Sequence, residues 1–121
     1  MIYGYARVST KGQARDGNSL DAQISEIEKA GAEKGNIYVD SFTGTKLERP
    51  AFTQLREKLC AGDTLIVTKL DRLGRSVSQV SGLINDLLDN GITVNVLNIG
   101  VMSNDSVNTL LRNIQIGRAH V

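Results

Sequence analysis

Short apolar runs of strand length alternate with helical apolar stripes along the chain, and that alternation limits the fold more than any other feature. Residues 2–8 predict a first strand, followed by a polar, glycine-bearing loop over residues 10–18. A helix starts near Asn18 or Ser19, either of which can cap it, with Asp21 in its first turn and a stripe of Leu20, Ile24 and Ile27. Ile37, Tyr38 and Val39 predict a second strand. After a loop at residues 43–46, Pro50 opens a helix at its tolerated first position, with Phe52, Leu55 and Leu59 on one face. Gly62 and Asp63 close that unit. Leu65, Ile66 and Val67 form a continuous apolar run, as expected of a strand covered on both faces. Val77, Val80, Ile84, Leu87 and Leu88 mark a longer helix, which Asn90-Gly91 stops with a glycine able to take the left-handed conformation. Residues 93–97 predict a fourth strand and residues 99–102 a short fifth. This βαβα order predicts an α/β fold with a mainly parallel sheet and helices on both faces.

Size and charge bound what such a fold can do. At 121 residues and 40% hydrophobic, the chain is one domain with enough apolar content for one core. A formal net charge of +1 gives no bulk attraction to nucleic acid, so any polyanion site must come from where charges lie. Cys60 is the only cysteine, which excludes an internal disulfide and zinc-finger spacing and suits a reducing cytoplasm. No apolar stretch approaches the ~20 residues of a membrane span, and the N-terminus lacks a signal-peptide pattern. The expectation is a soluble, cytoplasmic domain.

In open parallel sheets, ligands bind outside the carboxyl ends of the strands. The first strand brings Arg7 and Ser9 there, two residues apart and so on one face of the strand. The second strand is followed by Lys46 and Arg49, and the third by Lys69, Asp71, Arg72 and Arg75. Glu48 and Asp71 alone oppose these cations, so a near-neutral chain has a basic rim. Each element has a plainer reading: a strand-end serine is usually a turn hydroxyl or a cap, and basic residues near a helix start are usually a solvated face. Yet cations at a helix start oppose the macrodipole, whereas an anion there would satisfy both. Arg49 before Pro50 repeats the arrangement. Asp71 could simply neutralise neighbouring arginines. Gln23, polar on an otherwise apolar helix side, is a weak hint, with a structural hydrogen bond as the alternative.

Absent motifs narrow the chemistry. No GxxxxGK[ST] loop and no GxGxxG opening a helix is present, which argues against the usual nucleotide sites. The single histidine, His120, is next to the end of the chain, so a Ser-His-Asp hydrolase lacks its base. No Asp, Glu or His cluster has metal-ligand spacing. A serine among arginines suits in-line phosphoryl transfer, in which guanidinium groups stabilise the non-bridging oxygens without a metal.

Four motifs then occur in order: Tyr5-Ala6-Arg7-Val8-Ser9-Thr10; Ser19-Leu20-Asp21-Ala22-Gln23; Asp40-Ser41-Phe42-Thr43-Gly44 with Arg49-Pro50; and Lys69-Leu70-Asp71-Arg72-Leu73-Gly74-Arg75-Ser76. Together they resemble the catalytic domain of serine recombinases of the resolvase/invertase family, from residue 1 to about Ile114. The resemblance implies a three-layer α/β/α sandwich of four to five strands with an antiparallel edge strand. It implies that Ser9 attacks a DNA phosphodiester, forming a 5′-phosphoserine link and releasing a 3′-hydroxyl, with no cofactor, ATP or metal. Arg7, Arg72 and Arg75 match the arginines that hold the scissile phosphate, Arg49 a further active-site arginine, and Gln23 a polar residue close to the nucleophile. Asp71 matches an aspartate that helps protonate the leaving 3′-oxygen or positions the arginines. Lys69 and Lys46 are expected to contact the DNA backbone. The partners implied are double-stranded DNA and further copies of the chain, as a homodimer and a synaptic homotetramer, with no membrane.

The C-terminus departs from that pattern. Residues 108–114 fit the start of the family's dimerisation helix, but residues 115–121 do not continue it, and Gly117 suits a helix interior poorly. The expectation is a truncated catalytic domain over residues 1–114, a non-native tail over 115–121, no DNA-binding domain, and weak or absent oligomerisation and activity for this chain alone. Two further classes stay open: a non-catalytic DNA-binding fragment with the same fold, and a flavodoxin-like or receiver-like domain, which would carry acidic rather than basic strand ends.

Overall fold

The computed structural model describes residues 1–9, 20–42, 50–74 and 76–103, except for the side chains of Val8, Ser9, Ser41, Phe42 and Asp71. Five strands form one sheet in the order β2-β1-β3-β4-β5, namely β1 (Ile2–Ser9), β2 (Ile37–Phe42), β3 (Thr64–Val67), β4 (Thr93–Val96) and β5 (Gly100–Val101). The first four run parallel, and β5 pairs antiparallel with β4 at the edge. Three α-helices accompany them: α1 (Leu20–Lys29), α2 (Pro50–Lys58) and α3 (Val77–Asp89). The expected mainly parallel sandwich with an antiparallel edge strand is therefore observed. The larger boundary changes are that β2 runs on to Phe42, well past Val39, and that β5 contracts to two residues, while β1 ends one residue later than expected and β4 one residue earlier.

Strand alternation divides the core by face. Tyr5, Leu65, Val67, Val94 and Val96 join Phe52 and Leu55 of α2 and Val80, Ile84 and Leu87 of α3 in the larger cluster. On the opposite face Ala6 and Ile66 pack with Ile27 of α1 and with Ala32. So α1 covers one side and α2 with α3 the other. Among the described residues, no helix is long and apolar enough to cross a membrane.

Helix ends follow the sequence signals. The Ser76 hydroxyl accepts from the Gln79 amide at 3.1 Å and caps α3. At its other end Gly91 has φ +79°, the Ile92 amide reaches back to the Leu87 carbonyl, and the Gly91 amide bonds to the Leu88 carbonyl. This six-residue closure needs a left-handed residue, which glycine supplies without steric cost. Gly31, φ +123°, ends α1 in the same way.

Candidate active site

Strand β1 carries Arg7 and Ser9 to the carboxyl edge of the sheet, where they pair with Asp40 and Phe42 of β2. The β1–β3 ladder stops much earlier, at Gly4–Ile66. Past that point the sheet forks. Gln23 of α1 fills the fork: its side-chain Oε1 accepts from the Arg7 amide and its Nε2 donates to the Arg7 carbonyl, both at 3.3 Å. Only 2% exposed, this amide takes the place of a ladder partner for β1. The polar residue on the apolar side of α1 thus has a structural hydrogen bond that also fixes the backbone of a candidate catalytic residue.

Asp40 has no role in the sequence reading, yet it organises the other flank. Buried beside Arg7, it accepts from the Tyr5 hydroxyl at 2.8 Å and from the amides of Ala51 and Phe52 at 2.9 and 3.1 Å. Those amides belong to the first turn of α2. A carboxylate from β2 therefore caps α2, in accord with the helix dipole, and ties the helix to the sheet edge and to Tyr5. The Tyr5 ring packs edge-on against Phe52, with centroids 4.9 Å apart. The only advance signal was parity: Tyr5 and Arg7 share a strand face, and a polar residue on β2 must answer them there.

Beyond β3, the chain does not enter α3 directly. Leu70–Arg72 form a 3-10 turn that lies against β1, and α3 begins only at Val77. This corrects the expectation of Arg72 at the start of a helix: it belongs to a separate turn before the Ser76 cap. The consequence favours anion binding, because the turn sets Arg72, half-buried, against the strand that carries Arg7. Lys69, also half-buried, immediately precedes that turn. The main chain places Asp71 there too.

Of the sequence-derived site residues, the structure gathers Arg7, Gln23, Arg72, Lys69 and the main chain of Ser9 and Asp71 at one sheet edge. Arg49, Lys46 and Arg75 lie outside the described residues. Arg7 is only 9% exposed, which suits a guanidinium that meets an anion with little competition from water. Among the described residues, no group of three or more His, Cys, Asp or Glu side chains is placed to hold a metal ion. The edge can therefore bind and polarise an oxyanion through arginine, next to the backbone of a serine.

Comparison with known proteins gives this geometry a family. Residues 2–121 match the model of the resolvase N-terminal domain. A resolvase of Clostridium perfringens is 39% identical over 97 residues, covering 80% of this chain and 49% of that protein. The Tn3 transposon resolvase of Escherichia coli is 34% identical over 110 residues, covering 91% of this chain and 57% of its own length. This chain thus spans about half the length of these relatives. The crystal structure of the N-terminal catalytic domain of TP901-1 integrase superposes with a TM-score of 0.73 at 35% identity, covering 98% of this chain and 96% of that one. By sequence and by fold, the chain belongs to the serine recombinases of the resolvase/invertase family, in their resolvase N-terminal domain.

Proposed function

We propose that the chain is the catalytic domain of a site-specific DNA recombinase, spanning residues 1–114, with Ser9 as nucleophile. The observation that carries the reading is the strand end itself: a buried Arg7 two residues before Ser9, with the Arg72 turn lying against the same strand. In the proposed reaction the Ser9 Oγ attacks a DNA phosphorus. The Ser9 hydroxyl gives up its proton to solvent as the O–P bond forms, the bond to the 3′-oxygen breaks, and the leaving oxygen takes up a proton, with Asp71 as its source or its organiser. The 5′-phosphoserine link keeps the bond energy for the reverse attack by a new 3′-hydroxyl.

Arg7, Arg72, Arg75 and Arg49 would share the non-bridging oxygens of the pentacoordinate phosphorus, a charge that develops only in the transition state. Gln23 would act by positioning Arg7. Lys69 and Lys46 would contact flanking phosphates, which orient the duplex without reading its sequence. Exchange of four strands requires the homodimer and homotetramer that the family resemblance implies.

The test is covalent capture. The domain, joined to the helix and DNA-binding module of a complete recombinase, is incubated with its crossover site and the products are resolved under denaturing conditions. A protein–DNA adduct through a 5′ end that is lost in Ser9→Ala supports the assignment. An adduct that persists in Ser9→Ala, or none under conditions that activate the oligomer, refutes it.

A further inference from the structure

Beside the reacting edge is a cleft that shares Gln23 and Lys69 with it but otherwise has no part in the proposed recombination chemistry. Its volume is ≈ 630 Å³, within the roughly 300–1,000 Å³ typical of small-molecule sites. Helix α1 contributes Glu26 and Lys29, the turn after it Ala30, the segment after β3 Lys69, and the segment after β4 Leu97 and Asn98. Gln23 and Thr68 are its buried members.

The position follows from the topology. With strand order 2-1-3-4-5, the connections leaving the carboxyl ends of β1 and β3 go to opposite faces, to α1 and to α3, and the crevice between those two strands is where doubly wound sheets hold ligands. Here the crevice is widened by the early end of the β1–β3 ladder. The lining then selects the ligand. Lys29 and Lys69 face the cleft from two different elements, against the one carboxylate of Glu26, while Leu97 and Ala30 provide apolar surface and Asn98 an amide.

We propose that this cleft binds an amphipathic organic anion, a small apolar body bearing one carboxylate, sulfonate or phosphate, and that occupancy is transmitted to Arg7 through Gln23. Gln23 lines the cleft and, through its side-chain amide, holds both main-chain groups of Arg7, so a ligand that displaces Gln23 changes the restraint on the strand end that leads to Ser9. The binding half of the proposal is independent of the recombinase reading; only the regulatory meaning of the Arg7 response rests on it.

The probe is 8-anilinonaphthalene-1-sulfonate, titrated into the intact chain with fluorescence and amide chemical shifts as readouts. One saturable site is expected, with shifts at Ala30 and Asn98 and a coupled shift at the Arg7 amide. Ala30→Trp fills the cleft from an exposed position, and should weaken binding about tenfold or more with an unchanged melting temperature. Lys29→Glu should weaken it severalfold by removing one cation. Binding that is indifferent to both substitutions, or shifts centred on the exposed Ile99 and Val101, would overturn the site. Binding in the cleft with a stationary Arg7 amide would overturn the coupling. Neither result depends on DNA cleavage, so failure here is distinct from failure of the Ser9 assignment.

Discussion

Replacing Asp40 with alanine should be among the most damaging single changes available in this fold. The carboxylate accepts three hydrogen bonds, from the Tyr5 hydroxyl and from the Ala51 and Phe52 amides. Tyr5 is 0% exposed and Phe52 5%, so water cannot replace the lost acceptor for either. Loss of a helix cap costs about 1 kcal/mol, and removal of the acceptor from a buried hydrogen bond about 1–3 kcal/mol. The contributions overlap, so the total is about 3–5 kcal/mol, a large part of the ~5–15 kcal/mol that holds an ordinary domain together. At about 4 °C per kcal/mol for a domain of this size, the melting temperature should fall by roughly 12–20 °C. Urea unfolding followed by circular dichroism measures the free-energy loss directly. Tyr5→Phe, which removes only one of the three donors, should cost about 1 kcal/mol. In the double variant the tyrosine change should cost less than it does alone, because its acceptor is already gone. A loss under about 1 kcal/mol for Asp40→Ala, or strict additivity of the two changes, would refute this account of how α2 is fixed to the sheet.

Other substitutions probe separate parts of the structure. A Cβ at Gly4 would stand 2.4 Å from Ile27 Cγ2 and 3.3 Å from Ile37 Cγ1, so Gly4→Ala should cost about 1–3 kcal/mol through overpacking of α1 on β1. Urea unfolding within 0.5 kcal/mol of the parent would contradict that close approach. Among the described residues, the buried Ser81 Oγ has no hydrogen-bond partner, so Ser81→Ala should stabilise the chain by about 1 kcal/mol; a melting temperature lower than the parent's would count against this. Asp63 accepts from the Cys60 amide and from the N-terminal ammonium, and these hold its carboxyl below the ordinary range, the amide most strongly. Because the folded value is the lower one, the stabilisation is complete above the ordinary carboxylate range and disappears as pH falls through the depressed value. Asp63→Asn should therefore melt lower than the parent at pH 7, with the gap closing on acidification. A gap that does not vary with pH would rule out this linkage.

Legibility in the sequence followed how far each feature depends on local pattern. Helix α3 was visible from Val77, Val80, Ile84 and Leu87 and from its Asn90-Gly91 stop, because periodicity and a left-handed glycine both act within a few residues. The end of β2 was not visible: Asp40 and Ser41 break the apolar run, and Asp40 is buried only because α2 and Tyr5 supply its donors. The Arg72 turn was hidden for a related reason, since a short 3-10 segment between β3 and α3 has no period to detect. At the site, Arg7 and Ser9 could be paired by strand parity alone. Gln23 could be noticed but not assigned, because its partner is the main chain of a residue sixteen positions earlier, across a fork that only the strand register reveals.

The fork also divides β1 into two regimes of solvent exchange. In a parallel strand, alternate residues bond to opposite neighbours, so Ala6 and Val8 are held in the ladder with β2 while the Arg7 amide depends on a side chain. A ladder amide becomes exchangeable when strands separate, an event that draws on much of the stability of the sheet. The Arg7 amide bonds instead to the Gln23 side chain, whose displacement leaves the β1–β2 ladder in place. A single strand therefore contains neighbouring amides whose protection is set by different events, and the faster one reports the freedom of the backbone two residues before Ser9 without any unfolding of the sheet.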